Sequence, residues 1–188
     1  MGVKDMQALI FRQKTFAYLL LLIFCFWGNG CGPVEDHPPG AVIIEGVGVE
    51  STVSFTLEEL KALEDGLVEA DYYALNSYGT EGRFHFKGIW VWHIIEKMVN
   101  LQDDAAVVNF IGQDDYQVEF TLEDVKKEDY IDEGDPAVKH KMIIAWEEDG
   151  VEYDPSRGNP FQLVVGQREP GDVNRPYWVR NLKIIRID

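Results

Sequence analysis

Apolar and polar positions along this chain change period every five to ten residues, and each change predicts a new element. Ala41-Val-Ile-Ile-Glu-Gly-Val-Gly-Val predicts a first strand closed by a glycine-marked turn. Leu57, Leu60 and Leu63 recur at helical spacing, and Thr56 with Glu59 has the spacing of a capping box, so a short helix follows with Gly66 as its stop. Residues 68–75 are strand formers, and residues 76–81 are a polar loop containing glycine. Arg83-Phe-His-Phe-Lys-Gly-Ile leads into a helix over residues 90–99 that is apolar on most faces. Residues 106–111 read as a short buried strand, 112–116 as a turn, and 117–120 as the alternating return arm of a hairpin. Phe120-Thr-Leu-Glu-Asp-Val then repeats the earlier Phe55-Thr-Leu-Glu-Glu-Leu, again with cap spacing at Thr121 and Asp124. Residues 141–146 form an apolar strand before a turn of the Asp-Gly type, and residues 161–165 and 178–187 are the last strands. The pattern predicts an α+β domain, strand-rich, with short helices on a mixed sheet.

The N-terminus follows another rule. Residues 1–14 carry Lys4, Arg12 and Lys14 against Asp5, and an unbroken apolar run of about a dozen residues follows, Phe16 to Trp27. That run is shorter than the roughly 20 residues needed to span a bilayer and has the layout of a secretory signal. Gly30 precedes Cys31 where the run closes, which resembles a bacterial lipoprotein processing site: residues 1–30 are removed and Cys31 is acylated. An ordinary secreted protein cut near Gly30, or an uncleaved anchor, are the alternatives. Residues 31–41 then form the lipid-bearing cysteine and a Pro/Gly-rich tether, and 42–188 one domain. The expected location is the extracytoplasmic face of the cell envelope, held to the membrane by lipid.

Charge narrows the partners. The chain has a formal net charge of −16; beyond residue 31 there remain 14 basic and 32 acidic residues, about −18. Such acidity excludes nucleic acid as a partner and keeps the domain off anionic lipid. The two cysteines are Cys25 and Cys31, so the domain has no internal disulfide.

Several segments taken in order resemble the oxidoreductase molybdopterin-binding domain of sulfite oxidases and of periplasmic molybdoenzyme catalytic subunits. They are Phe55-Thr-Leu-Glu-Glu-Leu, Phe86-Lys-Gly-Ile with its helix, Gly112-Gln-Asp-Asp-Tyr, Met142-Ile-Ile-Ala-Trp-Glu-Glu-Asp-Gly-Val, Gly158-Asn-Pro-Phe-Gln-Leu-Val-Val and Trp178-Val-Arg-Asn-Leu-Lys-Ile-Ile. The resemblance implies a sulfite-oxidase-type fold in a compact version. It also implies a metal-binding cysteine about ten residues before an aromatic-x-Gly step, here Phe86-Lys87-Gly88. Counting back reaches Asn76 and Ser77, and neither offers the soft anionic sulfur that molybdenum wants.

The loop that the family uses for its site holds Asn76, Ser77, Tyr78, Arg83 and His85 here. The family binds oxyanions and the pterin phosphate with arginines, whose planar fork suits them, and Arg157, Arg168, Arg175 and Arg180 lie in the C-terminal third beside Asn174. The plainer expectation for any one arginine is a partner among the many carboxylates. His93 reads as a core or edge residue, and His140 as a partner of the preceding acidic stretch. No protein metal site is recognisable; the oxygen-rich residues 128–135 lack a calcium-loop pattern. The function expected is a non-catalytic binding or accessory module for a small anion, a pterin-like ligand or an envelope protein. The alternative is a divergent molybdopterin-dependent oxidoreductase, of sulfite oxidase or sulfoxide reductase type, with a non-cysteine metal environment.

Overall fold

The computed structural model describes residues 37–188, the second of two compact units of the chain. The signal segment 1–30, Cys31 and most of the tether lie outside the described residues. Among the described residues no helix is long and apolar enough to cross a membrane.

Among the described residues, ten of twelve strands make two main sheets. The first holds β1 (Val42–Glu45), β2 (Val53–Phe55), β5 (Val107–Gly112), β6 (Gln117–Thr121) and β12 (Leu182–Ile187), in the order β2-β1-β12-β5-β6. The second runs β10-β9-β4-β3, from β3 (Leu67–Leu75), β4 (Glu81–Trp90), β9 (Ile143–Glu148) and β10 (Val151–Glu152), and β11 (Gln162–Val164) also pairs with β9. A small ribbon joins β7 (Tyr130–Ile131) and β8 (Lys139–His140). The class is α+β, as the pattern predicts, but with two sheets in place of one. The first sheet is mixed through its parallel β1–β12 pair. Strands β2, β7, β8 and β10 are two or three residues long, too short to leave a period in the sequence.

The helices start where the caps require. α1 (Leu57–Lys61) and α3 (Leu122–Lys126) each begin with a complete capping box, Thr56 with Glu59 and Thr121 with Asp124. α1 ends at Ala62, and Gly66 closes a separate 3-10 turn. α2 (Val91–Met98) buries Val91, Ile94 and Ile95. One core runs from Val42 and Ile44 through Phe86, Ile89 and Trp146 to Leu182 and Ile187. Each wholly buried large apolar side chain in it contributes about 1.5–3 kcal/mol.

One stretch of backbone joins the two main sheets. Leu163 donates its N–H to Val179 (2.9 Å) and Leu182 donates to Phe161 (2.9 Å), with Gln162 bridged to Arg180 between them. The last strand therefore begins at Leu182, four residues later than the pattern predicts, because residues 179–181 serve β11 first. Asn181 turns the chain there with φ 49°, a conformation asparagine tolerates. Wholly buried Asn174 ties the second sheet together: its amide accepts from Leu75 N (2.9 Å) and donates to Tyr73 O (2.8 Å) and Val165 O (3.0 Å), closing the end of edge strand β3.

The Phe86-Lys87-Gly88 step has a structural cause. The β4–β9 register shifts between Lys87 and Gly88, and a Cβ on Gly88 would lie 2.3 Å from the Ile144 carbonyl oxygen. Neither backbone can yield without breaking the ladder, so Gly88→Ala is expected to cost about 2–3 kcal/mol in urea denaturation. A loss under 1 kcal/mol would show that the strand pair accommodates the methyl group.

Candidate functional site

Arg180 is drawn beside Gln162 by the join just described, and the Asp149-Gly150 turn brings Glu148 and Tyr153 together. That turn has φ 52° and 78°, the left-handed pair a two-residue hairpin requires. Glu148 pairs with Val151, and Tyr153 N–H reaches Trp146 O, so Glu148 and Tyr153 are diagonal neighbours. These segments surround a cleft of about 590 Å³ whose lining includes Glu148, Tyr153, Arg157, Phe161, Gln162 and Arg180. That volume is ordinary for a small-molecule site.

Inside it, the Tyr153 hydroxyl lies 3.0 Å from Glu148 Oε2 and 3.2 Å from Gln162 Oε1. Burial pushes the Tyr153 phenol up, the Glu148 carboxylate pushes it further, and Arg180 and Arg175 oppose both. The hydroxyl therefore stays a neutral donor. Gln162 is 2% exposed, and its Nε2 has no hydrogen-bond partner. Beside the cleft, the Arg175 guanidinium lies over the rings of Phe84 (4.9 Å) and Trp178 (4.4 Å), and its buried Nη1 has no acceptor. Burial first, and then repulsion from Arg180, lowers the Arg175 pKa, with Glu148 and Tyr153 opposing. Buried donors without acceptors cost about 1–3 kcal/mol each. The arrangement is suited to receive an oxyanion or carbonyl.

The nominated residues fall into separate places. Arg157 and Arg180 line the cleft without forming an ion pair to a described carboxylate, and Arg175 lies beside them. Arg168 is held by Asp172 (Nε–Oδ2 2.9 Å, Nη2–Oδ1 3.0 Å) and caps the Tyr177 ring, so the expectation of a carboxylate partner holds for it. Arg83 pairs with Asp132, which is 1% exposed (3.0 Å). His85 sits on the sheet surface between Asp71 (2.6 Å) and Glu69 (3.3 Å), and those bonds, Asp71 foremost, raise its pKa. Asn76, Ser77 and Tyr78 form the β3–β4 hairpin tip. Asn76 Oδ1 accepts from Tyr78 N and Thr80 N (both 2.9 Å), and Tyr78 is 94% exposed.

Glu148, Tyr153 and Gln162 are the site residues that sequence reasoning missed. The signal for two of them was the Asp-Gly turn, since a two-residue hairpin makes its flanking residues neighbours. His140 departs from its expected role. It is 3% exposed, stacks on Tyr72 (4.4 Å between rings) and makes no hydrogen bond through Nε2. Among the described residues no group of three His, Cys, Asp or Glu side chains is placed to hold a metal ion.

The fold is a strand-rich α+β domain with mixed sheets and few short helices. It is similar to the crystal structure of the sulfane dehydrogenase SoxCD from Paracoccus pantotrophus, with 16% sequence identity and a TM-score of 0.58, over 81% of this chain and 39% of that one. The chain thus spans about two fifths of the SoxCD chain it matches, and at this identity the likeness establishes the fold alone. No family model matches the sequence, and no curated protein matches it.

The buried His140 makes stability depend on pH. Burial lowers its folded pKa below the ordinary 6.5. The unfolded chain therefore binds the proton first, and stability that is full above about pH 6.5 falls as pH drops toward the folded value. His140→Phe, which keeps the stack on Tyr72, is expected to flatten this acid limb between pH 6.5 and 5 in thermal denaturation. An unchanged slope would assign the limb to other groups.

Proposed function

We propose that the chain is a membrane-anchored extracytoplasmic lipoprotein. Its domain is a compact molybdopterin-oxidoreductase-like fold that works as a non-catalytic binding or accessory module. The cleft beside Arg175 holds a small ligand through an anionic group. The observation that carries this reading is the group of three guanidiniums that form no salt bridge to a described carboxylate, Arg157, Arg175 and Arg180, at a cleft that also holds buried Gln162. Arginine forks bind carboxylate, sulfate or phosphate oxygens with two parallel bonds.

The residues present do not fit a protein-ligated molybdenum. Residues 37–188 contain no cysteine. The Asn76 oxygen that stands nearest the family's ligand position already accepts two backbone N–H groups, and Ser77 lies on the same hairpin tip. A metal ligand there would have to break the turn that forms the loop.

Metal and pterin analysis of protein purified from its own host's membranes tests the reading. Less than about 0.1 molybdenum or tungsten per chain, with no pterin, is the expected result. About one metal per chain would overturn the non-catalytic role. Inorganic sulfate or phosphate should bind saturably in calorimetry, and Arg180→Gln should weaken that binding about tenfold or more. Cys31→Ser is expected to abolish fatty-acid labelling and release the protein from the membrane. A variant that is labelled and retained like the original would refute the anchor.

A further inference from the structure

We propose that the ligand of this cleft is an amino-acid-type zwitterion, its carboxylate on Arg157 and Arg180 and its ammonium on Glu148. The inference rests on the binding-module reading above and assigns the ligand class for that site.

Three observations lead to it. The first is the mixed charge of the cleft. Its lining sets Arg157 and Arg180 beside the carboxylates of Glu148, Asp149, Glu152 and Asp154, in a chain of net charge −16. An anion arriving from solution is repelled at long range before it meets the arginines, whereas a net-neutral ligand is not. The second is the state of the carboxylates at the site. Asp149 accepts the His85 N–H (2.9 Å), Asp154 caps the Ser156 N–H (2.9 Å), and Glu152 is paired with Lys61. Glu148 accepts from the neutral Tyr153 hydroxyl at 3.0 Å and forms no salt bridge to a described residue, with Arg175 as its electrostatic neighbour. A bare anion bound at Arg157 and Arg180 would lie among the carboxylates of Glu148, Asp149, Glu152 and Asp154. An ammonium on the same ligand turns the repulsion into a second ion pair.

The third observation is Gln162. Its Oε1 faces the Tyr153 hydroxyl, and its Nε2 is buried without an acceptor in the protein. A side chain nine-tenths buried that retains an unused donor next to cationic groups is suited to a carboxylate oxygen, which has lone pairs beyond those the arginines use. The Tyr153 hydroxyl, kept protonated, remains as a donor to Glu148 and fixes that carboxylate in place. Apolar Phe161 lines the same cleft and provides a surface for a short carbon chain between the two charged ends.

The test is calorimetric titration of the full-length, detergent-solubilised protein with glycine, β-alanine and γ-aminobutyrate, against butyrate and butylamine as single-charge controls. At least one of the zwitterions should bind ten times or more tighter than either control. Arg180→Gln should weaken that zwitterion and butyrate alike. Glu148→Gln, which keeps an acceptor for Tyr153, should bring the zwitterion down to the level of butyrate while leaving butyrate unchanged or tighter. If butyrate or inorganic sulfate binds as tightly as every zwitterion, the zwitterion assignment fails and the anion-binding module stands. If none of these probes, sulfate and phosphate included, binds, both fail. Unchanged circular dichroism and melting temperature in both variants separate loss of a contact from loss of the fold.

Discussion

The antiparallel join between residues 161–163 and 179–182 is the constraint on which the rest of this domain depends. β11 belongs to the sheet of β3, β4, β9 and β10, while β12 belongs to the sheet built on β1 and β5. The hydrogen bonds from Leu163 to Val179 and from Leu182 to Phe161 make the two sheets share one stretch of backbone. Backbone bonds here are obligatory, since unpaired groups in this buried stretch would each cost a lost hydrogen bond. The same join sets Gln162 against Arg180, so architecture and cleft have one origin. Asn174 extends the effect by tying Tyr73, Leu75 and Val165 through a single buried amide.

The cleft shows how an acidic protein can keep guanidiniums out of salt bridges. Arg83, Arg168 and Arg186 each find a carboxylate, as abundance alone predicts. Arg175 does not, because its neighbours are the rings of Phe84 and Trp178, and ring faces attract the guanidinium without accepting its hydrogen bonds. Glu148 and Tyr153 counter its burial only in part. A site with donors to spare, several carboxylates and a fixed neutral hydroxyl is chemically specific without a metal ligand.

The likeness in fold to the SoxCD structure carries no site with it. A fold is maintained by apolar burial and backbone pairing, and both survive when one loop residue changes. Gly88 illustrates this: its place in the aromatic-x-Gly step is enforced by the Ile144 carbonyl across the strand pair, whatever the loop before it binds. Asn76, at the opposite end of the same hairpin, caps a tight turn.

Local patterns were legible in the chain because their causes are local. Thr56 with Glu59 and Thr121 with Asp124 lie three residues apart, and each forms the box its spacing predicts. The strand period of residues 68–75, the 76–80 turn and the Asp149-Gly150 hairpin are also set by neighbours in sequence. Which arginines would be unpaired was not legible. Arg168 meets Asp172 four residues away, whereas the fate of Arg175 depends on Phe84, 91 positions earlier. The division into two sheets, the burial of His140 against Tyr72 and the meeting of Gln162 with Arg180 likewise join residues far apart in the chain. Sequence alone determined the class of elements, their caps and the acidity of the whole; tertiary structure decided which charges would be without partners, because only long-range packing sets the distance between a charge and its nearest opposite.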